Sequence, residues 1–425
     1  VRIVVTAALV LTTTGLSADP GLDEAVTEPN VFAHVQALAE IGELHGNRAV
    51  GSAGYEASAQ YVERVLRAAG YQVTSQTFTL PHYREVSPAV VTAAGVPVTA
   101  ATFAYSPSGR VSGPAQAAGT GCHEADWAGF RRGSIAVTNR GGCPFRVKAD
   151  WAVWAEAGAL IVVNSKPGEL KGSLSEPGVT LPVVGVAPEA RFEGTVTVET
   201  STASSTKSTR NVIAQTTQGD PDDVLVLGAH LDSVEAGPGI NDNGSGVAVV
   251  LEIATQMARM RPERAVRFAF WGAEEVGLIG STHYVKGLSP QEKAKIAGYV
   301  NLDMVATKNH ANGIYDSDNA IEDAAREFYE RRGLPAEEVA FDGRSDYGPF
   351  MKAGIPAGGI FTGAEDIKTP EQAQRYGGSG NQAYDPCYHK LCDTIENVNR
   401  QVLDVSGDAV ASMVEKLAFD RGPVR

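Results

Sequence analysis

Long apolar runs are missing from this chain of 425 residues. The run from Ile3 to Leu11 is far shorter than the roughly 20 residues a helix needs to cross a bilayer. No other stretch reads as membrane-spanning, so no membrane is expected as a partner. Positive charge is also short. There are 36 Lys plus Arg against 50 Asp plus Glu, a net charge of −14. That balance argues against nucleic acid or an anionic surface as a partner. A cationic group, such as the free amine of a peptide, is better tolerated, although the same surplus also serves solubility alone. Cysteine is scarce, with four residues. Four allow three connectivities, and the two local pairs Cys122–Cys143 and Cys387–Cys392 are expected. In a reducing compartment they would stay free thiols. No internal repeat is present.

What is there fits a globular protein, with 43% hydrophobic and 20% charged residues. The length points to about two domains. Arg2 ahead of the first apolar run, with small and polar residues behind it, reads as a secretory signal over residues 1–18, cut after Ala18. The chain is therefore expected outside the cell. Residues 19–85 open with two helices, one ending near Gly42 and one, YEASAQYVERVLRAAG, closed by Gly70. Residues 86–205 are rich in short β-branched runs. They hold a strand at Ser134–Asn139, a helix at Pro144–Ala157 and a strand at Ala159–Asn164. Trp151 and Trp154, three apart on that helix, read as core. Polar, aperiodic Thr200–Arg210 reads as a linker. From 206 to 425, apolar strands (VLVLGAH, AVRFAFW, IAGYVNLDM, PAGGIF) alternate with helices, the last at Asp404–Leu417. That alternation predicts an α/β fold with a mixed, mostly parallel sheet sandwiched by helices.

The polar residues at the ends of those strands carry the chemistry. His230 follows one strand, Glu274 and Glu275 another, Asp303 a third. An open α/β sheet forms its site beyond the carboxyl ends of its strands. Asp242 in GINDNGSG and His389 in CYHKLC complete the set. Two imidazoles and three carboxylates hold two zinc ions if one carboxylate bridges, since imidazole and carboxylate oxygen both suit zinc. Glu274, beside a ligand, is placed to act as a base. Asp232, two residues past His230, is an acceptor able to fix that ring's other nitrogen. Taken singly, each residue has a plainer reading. His230 with Asp232 is a capping pair, Asp242 a helix N-cap, the glutamates a solvated helix start, His389 a loop residue. Asp303 would be costly to bury without a cation. Five such residues in this order make the plain readings hard to hold together.

GAHLDS, GINDNGSGVA, WGAEEVGLIGS, VNLDM and YHKLCDT resemble the zinc aminopeptidases of the M28 metallopeptidase family, most closely its secreted bacterial members. The likeness covers residues 30–80 and 206–417. It implies that His230 and Asp303 bind one zinc, Glu275 and His389 the other, and that Asp242 bridges them. It makes Glu274 the general base, Tyr388 a donor to the oxyanion, and Arg344 and Phe361 part of the substrate pocket. The implied substrate is a peptide or protein with a free N-terminus. Phe361 and its apolar surroundings favour a large apolar first residue such as Leu, and a monomer is expected. NRGGCPFRVKADWAVWAEAGALIVVNS resembles a protease-associated (PA) domain, a β-rich module inserted into the peptidase. Asp404 and Asp408, one helical turn apart, are a candidate calcium pair beside the plainer reading of a solvated helix face. The scaffold leaves other readings open. They are a carboxypeptidase, a single-zinc cyclase acting on N-terminal glutamine, and a non-catalytic receptor, which would be expected to have lost metal ligands.

Overall fold

The computed structural model describes residues 21–420 and 422–424; the signal-peptide expectation lies outside them. Two compact units are present. Among the described residues, one holds the chain up to Phe78 and from Thr209 on, the other Thr79–Ser208.

The first unit is built on a mixed sheet. Its strands run in the order Glu337–Val339, Gly313–Tyr315, Ala357–Phe361, Ile296–Leu302, Asp220–His230, Arg264–Trp271, and last the Val212–Gln215 end of a longer strand. The neighbours from Ala357–Phe361 to Arg264–Trp271 are parallel. Antiparallel pairs sit towards both edges. Strands so placed are covered on both faces, which explains their unbroken apolar runs. Along Asp220–His230, Leu225, Leu227 and Ala229 enter one core, with Val62, Leu251 and Val414 of the helices Ala53–Ala68, Gly246–Met257 and Arg400–Phe419. Val224 and Val226 enter the opposite core, with Tyr284 and Phe350 of the helices Ile279–Gly287 and Tyr347–Lys352. Each buried Val, Leu or Phe among these contributes about 1.5–3 kcal/mol. The sheet between helices is the one expected.

Two local expectations differ. The first long helix runs Glu28–His45, past Gly42, and stops at Gly46, whose φ is 81°. Gly42 lies within the helix, and a side chain there would meet Pro238, whose Cβ would be 2.7 Å away. It is a packing glycine, and Gly46 is the cap. The Thr200–Arg210 stretch is no linker but lies within one strand, Thr195–Gln215. Ala203–Thr206 is exposed on both faces, so no alternation marks it. Backbone pairing and β-branched Thr sustain the strand there.

In the second unit, strands Gly109–Ala117, Ile135–Asn139, Ala159–Val163, Val183–Val186 and Ala100–Thr102 are adjacent in that order. One helix, Phe145–Trp154, packs on them through Ala149 and Ala152. Trp151 joins the core, whereas Trp154 is exposed. Cys122 and Cys143 are bridged.

Candidate metal centre

Parallel pairing brings the strand ends level. Trp271 is the partner of His230. Asn301 is the partner of Gly228, so Asp303 comes abreast of His230. Ala273, with φ 62°, turns the chain after Trp271 and delivers Glu274 and Glu275. Gly239, with φ 64°, opens the loop that carries Asp242 ahead of helix Gly246–Met257. The Cys387–Cys392 bridge brackets Tyr388 and His389, and His389 itself adopts φ 56°.

These residues meet in two groups that share one carboxylate. Nε2 of His230 lies 3.2 Å from Asp242 Oδ1 and 3.4 Å from Asp303 Oδ1. Nε2 of His389 lies 3.2 Å from Asp242 Oδ2 and 3.0 Å from Glu275 Oε2. Asp242 thus offers one oxygen to each group. Ligands at ordinary zinc distances around a tetrahedral ion stand about 3.4 Å apart. Glu275 Oε1 is buried without a hydrogen-bond partner, an arrangement that a cation would relieve. The donor set and its spacing fit two zinc-like ions. Among the described residues these two groups are the ones able to hold a metal. Asp404 and Asp408 form no third, and Asp408 pairs with Arg332 at 3.1 Å.

Charge follows from this crowding. Burial opposes a proton on His230, but Asp303, Glu274 and Asp242 hold the imidazole well above the usual histidine range. His389 is likewise raised, to about 10, by Asp242 and Glu275 against the effect of burial. Burial and then Asp242 push Glu275 up to about 7. Asp242, despite its burial, is held low by the two imidazoles. Imidazole protons therefore balance the acids where a metal would otherwise do so. Glu274 is raised well above the carboxylate range, first by burial, with Asp346 and Asp303 adding to it. A buried carboxyl of high proton affinity is suited to proton transfer near neutral pH.

A layer behind fixes these side chains. Asp232 was expected to orient His230. It does so through its main chain, His230 Nδ1 donating to the Asp232 carbonyl at 3.0 Å. The Asp232 carboxylate instead accepts the backbone N–H groups of Glu274 and Glu275, at 3.1 and 3.3 Å. Asp393 accepts from the backbone of Asn241 and Asp242, at 2.9 and 3.0 Å. Ser345 donates to Asp303 Oδ2 at 2.7 Å and accepts from Asn301 at 3.0 Å. Asp393 and Ser345 were not legible as site residues. Asp393 lies in YHKLCDT, a motif that carried signal as family likeness without singling this residue out.

Arg344, Phe361 and Tyr388 line the same cavity of about 460 Å³ as the six site residues. Phe361 stacks on Tyr315, their ring centres 6.1 Å apart, and Met304, Val339 and Tyr347 extend the apolar wall. Arg344 pairs with Glu365 at 2.8 Å. Tyr388 lies flat on the His389 ring, 3.8 Å between centres. Burial and the surrounding carboxylates raise its hydroxyl, which keeps its proton.

The chain is similar to known proteins over most of its length. Residues 211–414 match the model of peptidase family M28, and residues 108–191 that of the PA domain. An aminopeptidase of Pseudomonas aeruginosa is 39% identical, the alignment covering 95% of this chain and 83% of that one. Leucine aminopeptidase 2 of Trichophyton rubrum is 35% identical, with 93% and 85% covered. The structure of BSAP, a zinc aminopeptidase from Bacillus subtilis, superposes with a TM-score of 0.68 at 27% identity, covering 93% of this chain and 96% of that one.

Proposed function

Because the chain belongs to peptidase family M28 and is a metallo-aminopeptidase, we propose that it uses two zinc ions to release residues one at a time from the free N-termini of peptides. The observation that carries this reading is Asp242, whose two oxygens face two separate imidazole–carboxylate pairs. His230 and Asp303 would hold one ion, and Glu275 and His389 the other. Zinc, when bound, supplies Lewis acidity and a water of lowered pKa, near 7.

The protein's own groups do the rest. Glu274 accepts a proton from the attacking water and passes it to the departing amine nitrogen. The Tyr388 hydroxyl donates to the oxygen on which charge develops. The free amine of the substrate is held by the anionic Glu274 and Asp303. A blocked N-terminus would deprive the buried Glu274 carboxylate of that partner, at a cost of about 1–3 kcal/mol. Phe361, Tyr315 and Met304 offer an apolar wall to the first side chain. That wall, and the leucine aminopeptidase among its relatives, support a large apolar residue such as Leu there.

Secretion is supported by the two disulfides, and no described helix is long and apolar enough to cross a membrane. The test is hydrolysis of Leu-p-nitroanilide beside its N-acetylated form. Cleavage of the free-amine substrate alone is expected. Equal cleavage of both, or of neither by the metal-loaded protein, would contradict the proposal.

A further inference from the structure

Arg48 lies in the short connection between helices Glu28–His45 and Ala53–Ala68. Nothing in its neighbourhood of sequence marks it as part of the site, 182 or more residues from every ligand. Yet it is wholly buried, at 0% exposure. Its three guanidinium nitrogens all donate to carbonyls of one loop. Nη1 reaches Leu231 O at 2.5 Å, Nε reaches Pro238 O at 2.9 Å, and Nη2 reaches Gly239 O. The main chain of Arg48 is tied to the same loop. Its N–H donates to Ser233 Oγ at 2.9 Å, and its carbonyl accepts from Ser233 N at 3.3 Å.

The loop so clasped begins directly after His230 and ends three residues before Asp242. It is folded tightly, since a Cβ on Gly239 would come within 2.3 Å of Asp242 O. The guanidinium also carries a fixed charge into this region. Burial works against it, and the carboxylates of Asp393, Asp232, Asp242 and Glu275 act in its favour. A planar fork with donors on every nitrogen suits three divergent carbonyls, whereas an ammonium is a point charge that cannot span them.

We propose that Arg48 is a positioning residue of the metal centre, whose guanidinium and main-chain N–H together set the span between His230 and Asp242 and so the reach of the shared carboxylate to both metal positions. The inference rests on the two-metal reading of that centre.

The test compares full-length wild type with Arg48→Lys and Ser233→Ala, each stripped by a chelator and titrated with Zn²⁺ and with Co²⁺. Wild type must take up two ions; if it does not, the two-metal reading itself fails. With that satisfied, Arg48→Lys is expected to bind at least one ion about 10–100-fold more weakly. Its Co²⁺ absorption spectrum should be altered, and kcat at metal saturation lowered with KM little changed. A two-ion titration and spectrum matching wild type, with only the melting temperature reduced, would make Arg48 a strut of the fold and overturn the proposal. Should Arg48→Lys fail to fold, Ser233→Ala decides. It frees only the Arg48 N–H and loop contacts, and it should weaken metal uptake in the same direction; wild-type affinity there would overturn the proposal equally.

Discussion

The carboxylate of Asp232 holds Glu274 by its main chain, Oδ1 accepting the Glu274 N–H at 3.1 Å. The same carboxylate takes the N–H of Glu275 at 3.3 Å, while the Asp232 carbonyl, not its side chain, receives His230. One residue thus serves the proposed base and one member of each metal pair by three different atoms.

Asp232→Asn should therefore divide these roles. The new amide would present N–H to a backbone donor, loosening the Glu274–Glu275 turn while leaving the His230 contact in place. One ion is expected to bind nearly as in wild type. The other, with kcat, should fall about 10–100-fold. Equal weakening of both ions in the titration would contradict this division.

Glu274 lies outside both metal-binding groups. Glu274→Gln should keep the metal content of wild type and lose turnover by about 10²–10⁴-fold, the usual span for a removed acid–base group. Metal analysis and kcat on the same preparation decide it. Loss of metal in step with activity would make Glu274 a ligand rather than the base.

How far these roles could be read from sequence depended on distance along the chain. That His230, Glu275 and Asp303 would meet was legible because each lies at or just beyond the end of an apolar strand, and parallel strands bring their ends together. Asp242 and His389 sit in a turn and a loop that give no pattern of their own; they were legible as the members that complete the ordered set of candidate ligands, which the family likeness then reinforced. Asp393 was not, because its meaning is a contact with Asn241, 152 residues away. Arg48 was hidden for the same reason. The sheet between helices was legible from strand–helix alternation. The Thr200–Arg210 strand was not, because its exposed middle removes the alternation on which strand reading depends.

The Cys387–Cys392 bridge closes a very short loop around His389, and in the chain-entropy account a loop of this size contributes about 2 kcal/mol. The double variant Cys387→Ser/Cys392→Ser should lose the ion held by His389 and Glu275 more readily than the one held by His230 and Asp303. A chelator challenge followed over time reads this as one fast and one slow phase. Release of both ions at wild-type rates would mean the bridge does not position His389.

Proton linkage gives a signed pH dependence. In the metal-free protein His389 is raised to about 10 by Asp242 and Glu275, against burial. Its contribution to stability is complete below the unfolded value of about 6.5 and is lost as pH rises through the folded one. A metal requires the neutral ring, so each ion bound at pH 7 should release a proton. Metal affinity should rise with pH, by roughly tenfold per unit for each proton released, over the range in which the metal-free fold weakens. Calorimetric titration in two buffers of different ionisation enthalpy measures the protons directly. A binding enthalpy independent of buffer would contradict the charge balance described for the site.

The shared carboxylate of Asp242 is the centre of the account, and a metal titration of activity tests it most directly. Stripped protein is mixed with zinc in increasing amounts, and Leu-p-nitroanilide hydrolysis is read at each ratio. Activity that reaches its plateau at about two ions per chain, with Asp242→Asn binding neither ion tightly, is what a carboxylate joining two metal positions requires. A plateau at one ion, or an Asp242→Asn variant that still binds two, would contradict it.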